Sequence, residues 1–405
     1  MFIKTSNNNS KNVVILLGGS SAERHISVES GRNIYEKLLS SEKYNPTPVY
    51  LVERDGEISL FTLPIHILLK DNADDIEEYL LEGGDEDKKK NMSYFRENLS
   101  SIVKKYGNAV DDPTEISFKD LKKFDFVFLA LHGSPGEDGT VQKILDDLKI
   151  SYNGSGSETS KLCINKYATN QFLKSKGFNV AEQFLFGRED FLKGEEIINL
   201  KEKIDFPCIA KPEDDGCSSF VERIYNFENL KVFCKNFFDQ NPKKKNLLIE
   251  EFIFEKKGER LMEITGGFLT HHENDKIEYE IFYPSESVAS KGILSLEEKF
   301  LAGEGKNITP AFFSADEFQN EKIMVGVKKI FLEVAKILNL KGYARIDAFI
   351  KFFSDNSFKI YIIEVNTLPA MTSATCIFHQ CILNGYKPLD FIEKIIEFGF
   401  KSSKS

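Results

Sequence analysis

Residues Gly342 to Asn366 read GYARIDAFIKFFSDNSFKIYIIEVN, two apolar runs of strand length on either side of a polar turn at Asp355-Asn356. β-branched and aromatic residues favour strands, and short polar side chains suit tight turns, so the segment folds as an antiparallel hairpin. With period 2, Tyr343, Arg345, Asp347 and Phe349 share one face of the first arm. Ile360, Ile362, Glu364 and Asn366 share one face of the second. A turn centred on Asp355-Asn356 sets Asp347 opposite Glu364 and Arg345 opposite Asn366, with Cβ atoms about 5 Å apart. Two facing carboxylates in an apolar hairpin repel, and a hard cation held by oxygen ligands relieves that repulsion. Asp347, Glu364 and Asn366 are therefore candidate Mg²⁺ ligands, and the coordination positions they leave open suit a metal bridging nucleotide phosphates. The competing reading is a set of solvent-side strand charges, or a plain salt-bridge cluster in which Arg345 neutralises the acids.

The chain has 405 residues, enough for two or three domains. Its 53 Lys and Arg against 63 Asp and Glu give a net charge of −10, which excludes a global field for nucleic acid or an anionic membrane. Phosphate binding, if present, is local. The first apolar run, Val13 to Leu17, is too short for a signal-peptide core, and no stretch has the roughly 20 apolar residues of a membrane span. Six cysteines (Cys163, Cys208, Cys217, Cys234, Cys376, Cys381) form no CxxC pair, so reduced thiols and a cytoplasmic location are expected.

Short apolar runs alternate with helix-like periods in the first third, the pattern of a parallel sheet with crossover helices. Residues 1–150 are read as an N-terminal α/β domain, with a charge-rich insertion at about 53–120 whose Leu81 to Asn91 stretch is a solvated loop. From about Ser151 the pattern becomes α+β, divided into a central subdomain, 151–255, and a C-terminal subdomain, 256–405. The long Tyr283 to Phe312 segment has few apolar runs and is read as functional or mobile.

Cations that could meet phosphates are Lys166, in the first turn of a helix, and Lys211, at a strand end before the loop Glu213 to Ser219. Glu250 and Glu259 could hold adenine or ribose, although each is also an ordinary exposed strand-end acid. In the first third, Gly18-Gly19-Ser20-Ser21-Ala22-Glu23 follows a buried strand, and His132 ends another at the same carboxyl edge, where α/β sheets bind ligands. The glycines make neither GxGxxG nor a P-loop.

Together these segments resemble the D-alanine:D-alanine ligase family of the ATP-grasp superfamily. The matching stretches are LLGGSSAERHISVESG, ALHGSPGEDGTVQ, GSGSETSKLCINK, FPCIAKP, LLIEEF, GYARIDAF and IIEVNTLPAMT, in the family's order. The resemblance implies a three-domain ligase that grips ATP between its central and C-terminal parts. It phosphorylates the carboxylate of one D-alanine, and the amine of a second attacks the acyl phosphate. By matching position, Asp347, Glu364 and Asn366 would bind two Mg²⁺, with Mn²⁺ as an alternative ion. Lys166 and Lys211 would contact phosphates, and Glu250 and Glu259 the nucleoside. Arg345 and the backbone N–H near Ala370 would stabilise the tetrahedral oxyanion. Glu23 and His132 would bind the first D-alanine; Lys299 and Thr375 would hold the second carboxylate. Tyr283 to Phe312 would be the lid. The resemblance further implies a cytoplasmic homodimer serving peptidoglycan synthesis.

Two departures bear on specificity. Cys217 falls where the family has a serine, unless the alignment slides to Ser218, and Phe300 falls where many members have a lid tyrosine linked through that serine to the acid matching Glu23. Phe at the lid position resembles members that accept D-lactate, which makes a D-alanine:D-lactate ligase the alternative. A non-catalytic nucleotide-binding regulator is the rival from another class.

Overall fold

The computed structural model describes residues 10–82, 112–193, 205–214, 220–274, 276–288 and 306–402. Val13 through Leu17, in strand β1 (Lys11–Gly18), are fully buried. A strand buried on both faces needs cover on both sides, which a parallel sheet with crossover helices supplies. β1 pairs in parallel with β2 (Tyr44–Arg54) and β5 (Phe126–Leu129). Helix Arg24–Leu38 covers it through Val28, Ile34 and Leu38.

The expected 53–120 insertion is in part sheet. β3 (Glu57–Thr62) and β4 (Thr114–Ile116) extend the first sheet antiparallel, giving the order β4-β3-β2-β1-β5. Charge is frequent there because an antiparallel edge keeps one face in water, so its strands lack the continuous apolar run that marks β1. The charged stretch beyond residue 82 lies outside the described residues.

Four antiparallel strands form the second sheet: β7 (Gln183–Gly187), β8 (Cys208–Pro212), β9 (Glu222–Ile224) and β10 (Asn246–Glu251), ordered β7-β10-β8-β9. Helix Phe227–Gln240 packs on it with Phe233, Phe237 and Phe238 against Phe186, Leu247 and Ile249. The third sheet contains β11 (Arg260–Glu273), β12 (Lys276–Ile281), β13 (Ser285–Val288), β14 (Lys306–Ile308), β15 (Tyr343–Phe352) and β16 (Phe358–Asn366). Its order is β14-β13-β11-β15-β16-β6, with β12 on β11; β6 is the short strand Asn179–Val180. Helix Glu317–Ile337 fills its core with Val327, Phe331 and Val334 against Ile346, Ala348 and Ile350.

Two segments cross the boundaries read from sequence. β6, at a position expected in the central subdomain, pairs in parallel with β16 of the third sheet. Helix Pro388–Ser402, expected with the C-terminal subdomain, puts Phe391, Ile392, Ile395 and Ile396 into the core that contains β1. No helix among the described residues is long and apolar enough to cross a membrane. Cys163, Cys208, Cys234, Cys376 and Cys381 are free and buried, while Cys217 lies outside the described residues.

Close approach of the last helix to β5 depends on Gly399, where a Cβ would stand 2.5 Å from the Tyr152 carbonyl oxygen and 2.6 Å from the Phe126 ring. Gly399→Ala gains up to about 1 kcal/mol of helix propensity but overpacks a rigid seam at roughly 1–3 kcal/mol. The expected result in urea titration is a net loss of stability of about 1 kcal/mol; equal or greater stability would show that the seam yields.

Candidate active site

The hairpin pairs Asp347 with Glu364 and Arg345 with Asn366, the partners expected from sequence. The route to that pairing differs. Near the turn Ala348 faces Ile362 and Phe352 faces Phe358, and the register shifts between Asp347 and Ala348. Ile363 is thus the extra residue of a β-bulge, two positions of one strand opposing one of the other. The bulge corrects the face assignment of the second arm. Ile360 and Ile362 join Ala348 and Ile350 in the core, while Glu364 and Asn366 turn to the opposite side with Arg345 and Asp347.

On that side Arg345 Nε and Nη2 donate to the two Asp347 oxygens at 3.0 and 2.9 Å, and Thr265 Oγ1 donates to Asp347 Oδ1 at 2.5 Å. Glu364 lies 3.4 Å from Lys166 Nζ and 4.0 Å from Arg345 Nη2. Both acids therefore have a cation within reach, as the salt-bridge reading requires. Buried pairs of this kind seldom add net stability, because desolvation offsets the attraction.

Asp347, Glu364 and Asn366 fit a hard divalent ion by donor chemistry: two carboxylates and an amide on one face. Asn366 Nδ2 is buried without a hydrogen-bond partner among the described residues. Glu364, Asn366 and Lys166 line a cavity of about 10 Å³, the scale of one water or ion. Among the described residues no cluster of three or more His, Cys, Asp or Glu suits a metal.

Lys166 opens helix Lys166–Ser175, and its backbone N–H donates to the Glu213 carbonyl at 2.9 Å. The helix start is thereby tied to the segment that follows Lys211. Lys211 Nζ lies 2.9 Å from Glu250 Oε1, and Gln183 Nε2 donates to Glu250 Oε2 at 2.6 Å. A cavity of about 550 Å³ opens between the second and third sheets, lined by Phe184, Ile249, Glu250, Phe252 and Lys351. Lys351 pairs with Glu259 at 2.8 Å. The two acids expected to serve a nucleoside are thus at or near one cleft, each held by a lysine.

Ser21 Oγ donates to the His132 carbonyl at 2.7 Å, and a Cβ on Gly133 (φ +65°) would stand 2.7 Å from the Ser21 Cβ and 3.5 Å from Glu23 Oε2. The two sheet-edge segments singled out in the sequence therefore converge. Both His132 ring nitrogens are engaged: Nδ1 with the Leu368 carbonyl at 3.0 Å and Nε2 with Ser30 Oγ at 2.9 Å. Thr375 Oγ1 donates to the Thr372 carbonyl and stands just before helix Cys376–Leu383. Cys217, Lys299 and Phe300 lie outside the described residues, as does the lid segment between 288 and 306.

Sequence reasoning missed Ser30, Asn33 and Glu137. Glu137 is buried, and its oxygens accept from the backbone N–H groups of Gly133 at 2.9 Å and Leu368 at 3.3 Å. Burial pushes its carboxyl up to about 7. The HGSPGEDG run contained the signal, but only the fold shows where that acid points.

Burial lowers His132 to about 4. The unfolded chain then binds one more proton than the folded one between about pH 6.5 and 4, so this contribution to stability is present above that window and lost as pH falls through it. Glu137 acts in the opposite direction, its raised carboxyl favouring the folded state below about pH 4.5 and losing that advantage towards pH 7. His132→Gln should reduce the acid-side loss by about 3 kcal/mol relative to the parent, measured by denaturant titration at several pH values. An unchanged pH dependence would show that the histidine is not held neutral.

Residues 12–155 match a family model described as D-ala D-ala ligase N-terminus, and residues 172–397 one described as D-ala D-ala ligase C-terminus. The D-alanine–D-alanine ligase of Phocaeicola vulgatus is 28% identical over 391 residues, covering 96% of this chain and 99% of that protein. Among solved structures, the D-alanine–D-alanine ligase from Bacillus anthracis complexed with ATP aligns with a TM-score of 0.64 at 21% identity, over 98% and 99% of the two chains. The VanG D-Ala:D-Ser ligase from Enterococcus faecalis aligns with a TM-score of 0.67 at 21% identity, over 96% and 99%. At such identity these structural likenesses establish the ATP-grasp fold. With both halves of the ligase matched in order across most of its length, the chain belongs to the D-alanine–D-alanine ligase family of ATP-dependent carboxylate–amine ligases.

Proposed function

We propose that this chain joins two molecules of D-alanine at the expense of ATP, through a D-alanyl phosphate intermediate, and so supplies the dipeptide for peptidoglycan. The supporting observation is the bulge that brings Glu364 and Asn366 to the side of Arg345 and Asp347 in a chain whose two halves both match the ligase family. Lys166 and Lys211 lie at elements tied together through Glu213, a placement that suits a polyphosphate running between them. Glu250 and Glu259 border the adjoining cleft and would receive the nucleoside.

Asp347, Glu364 and Asn366 would hold Mg²⁺, which when bound neutralises phosphate charge and favours phosphoryl transfer. Arg345 carries the positive charge that would attract the first substrate's carboxylate and then its oxyanion, aided by the Ala370 N–H. Glu23 would take the first ammonium group. His132, with both ring nitrogens engaged by the protein, would act through the loop it holds. Thr375 and Lys299 would hold the second carboxylate, with Cys217 and Phe300 shaping the lid contact. Asp347 and Arg345 are at most 8% exposed, and this water-poor setting would protect an acyl phosphate from hydrolysis.

Mass spectrometry of products from ATP, Mg²⁺, D-alanine and D-lactate, over neutral to alkaline pH, tests the reading. The dipeptide should dominate and grow with pH, since the attacking amine must be unprotonated, and phosphate release should rise with D-alanine. Ester as the main product at neutral pH would replace this assignment with a depsipeptide ligase. Phosphate release indifferent to D-alanine would favour a nucleotide-binding regulator.

A further inference from the structure

Leu368 to Met371 connects the metal-side strand β16 to the segment before helix Cys376–Leu383, yet its polar backbone groups are met from the N-terminal sheet domain. The Leu368 N–H donates to Glu137 Oε1 at 3.3 Å, and the Leu368 carbonyl accepts from His132 Nδ1 at 3.0 Å. The Met371 N–H donates to Ser30 Oγ at 3.0 Å, and the Met371 carbonyl accepts from Asn33 Nδ2 at 2.6 Å. Pro369 has no N–H, so the amide of Ala370 is the one that remains between two held ones.

The polarity of this ring is determined. A carbonyl only accepts, so His132 carries its proton on Nδ1 and its Nε2 accepts from the Ser30 hydroxyl, whose oxygen in turn accepts from Met371. Ser30 is thus used as both donor and acceptor, and its side chain has one orientation. Glu137 closes the other side by bridging the Gly133 and Leu368 amides. Burying a carboxylate is costly, and an apolar side chain would fill the space more cheaply if filling were all that was needed.

We propose that Ser30 and Glu137 are positioning residues that clamp the Leu368–Met371 backbone onto the N-terminal domain and so place the Ala370 N–H for the reaction. The clamp deepens the function proposed above and rests on it for its catalytic consequence. Glu137 borders the small cavity that Lys166, Glu364 and Asn366 also line, whereas Ser30 does not line it, so it is the Ser30 arm of the clamp whose loss should act on turnover and spare ATP binding. Misplacing a reacting or stabilising group by about 1 Å can cost on the order of a hundredfold in rate.

The test uses the full chain carrying Ser30→Ala or Glu137→Gln. It reads D-alanine-dependent phosphate release, KM for ATP, and amide hydrogen exchange at Leu368 and Met371 with helix Phe227–Gln240 as internal reference. Each variant should lower kcat by about tenfold to a hundredfold, and Ser30→Ala should keep KM for ATP within about twofold. Exchange should rise at Met371 in Ser30→Ala and at Leu368 in Glu137→Gln, with the reference helix unchanged. Turnover within about twofold of the parent would overturn the proposal. So would a rise in exchange spread over the reference helix in both variants, which marks a purely structural role. Should the parent itself show no D-alanine-dependent release, the proposed function fails separately, and the exchange arm still decides the clamp: a local rise supports it, none refutes it.

Discussion

One extra residue in the last strand governs the arrangement of the site. Without the bulge at Ile363, strict alternation would put Glu364 and Asn366 on the same face as Ile360 and Ile362, inside an apolar core where an unpaired carboxylate would be neutralised or expelled. With it, both residues come over to Arg345 and Asp347, and the apolar alternation resumes through Val365. The strand therefore satisfies two demands that a regular strand cannot meet together: an unbroken core on one side, and a cluster of charges on the other.

The cluster in turn depends on a seam between domains. Leu368, Met371 and helix Pro388–Ser402 share a core with β1 and β5, so the segment following Asn366 is anchored to the sheet that carries Glu23 and His132. A substrate bound at the N-terminal rim and a phosphate bound over the hairpin would then meet at a backbone segment belonging to neither sheet alone. Positioning of this kind is where a ligase gains most, since the reacting groups must be held within fractions of an ångström while water is excluded.

Much of this was legible in the sequence. β1, the hairpin and the Asp347–Glu364 pairing followed from period and turn position. The face assignment of Glu364 did not, because a bulge leaves no mark in the alternation of YIIEVN that distinguishes it from a run with both faces apolar. The pairing itself came out as expected because a turn shorter by one residue and a bulge of one residue compensate. The strands β3 and β4 within the charge-rich 53–120 region were not singled out, because half-solvated antiparallel strands lack the continuous apolar run that marks β1.

Local chemistry by itself determined which residue types were available: buried apolar runs for the sheets, acids and an arginine in the hairpin, lysines at element ends. Those follow from side-chain size, charge and period, all of which act within a few residues. Only the tertiary structure decided that His132 has both ring nitrogens engaged, that Ser30 and Glu137 grip a loop more than two hundred positions away, and that the last helix belongs to the first core. Such contacts depend on which surfaces are brought together when three cores close against one another. No periodicity along the chain encodes a hydrogen bond whose two ends meet only then.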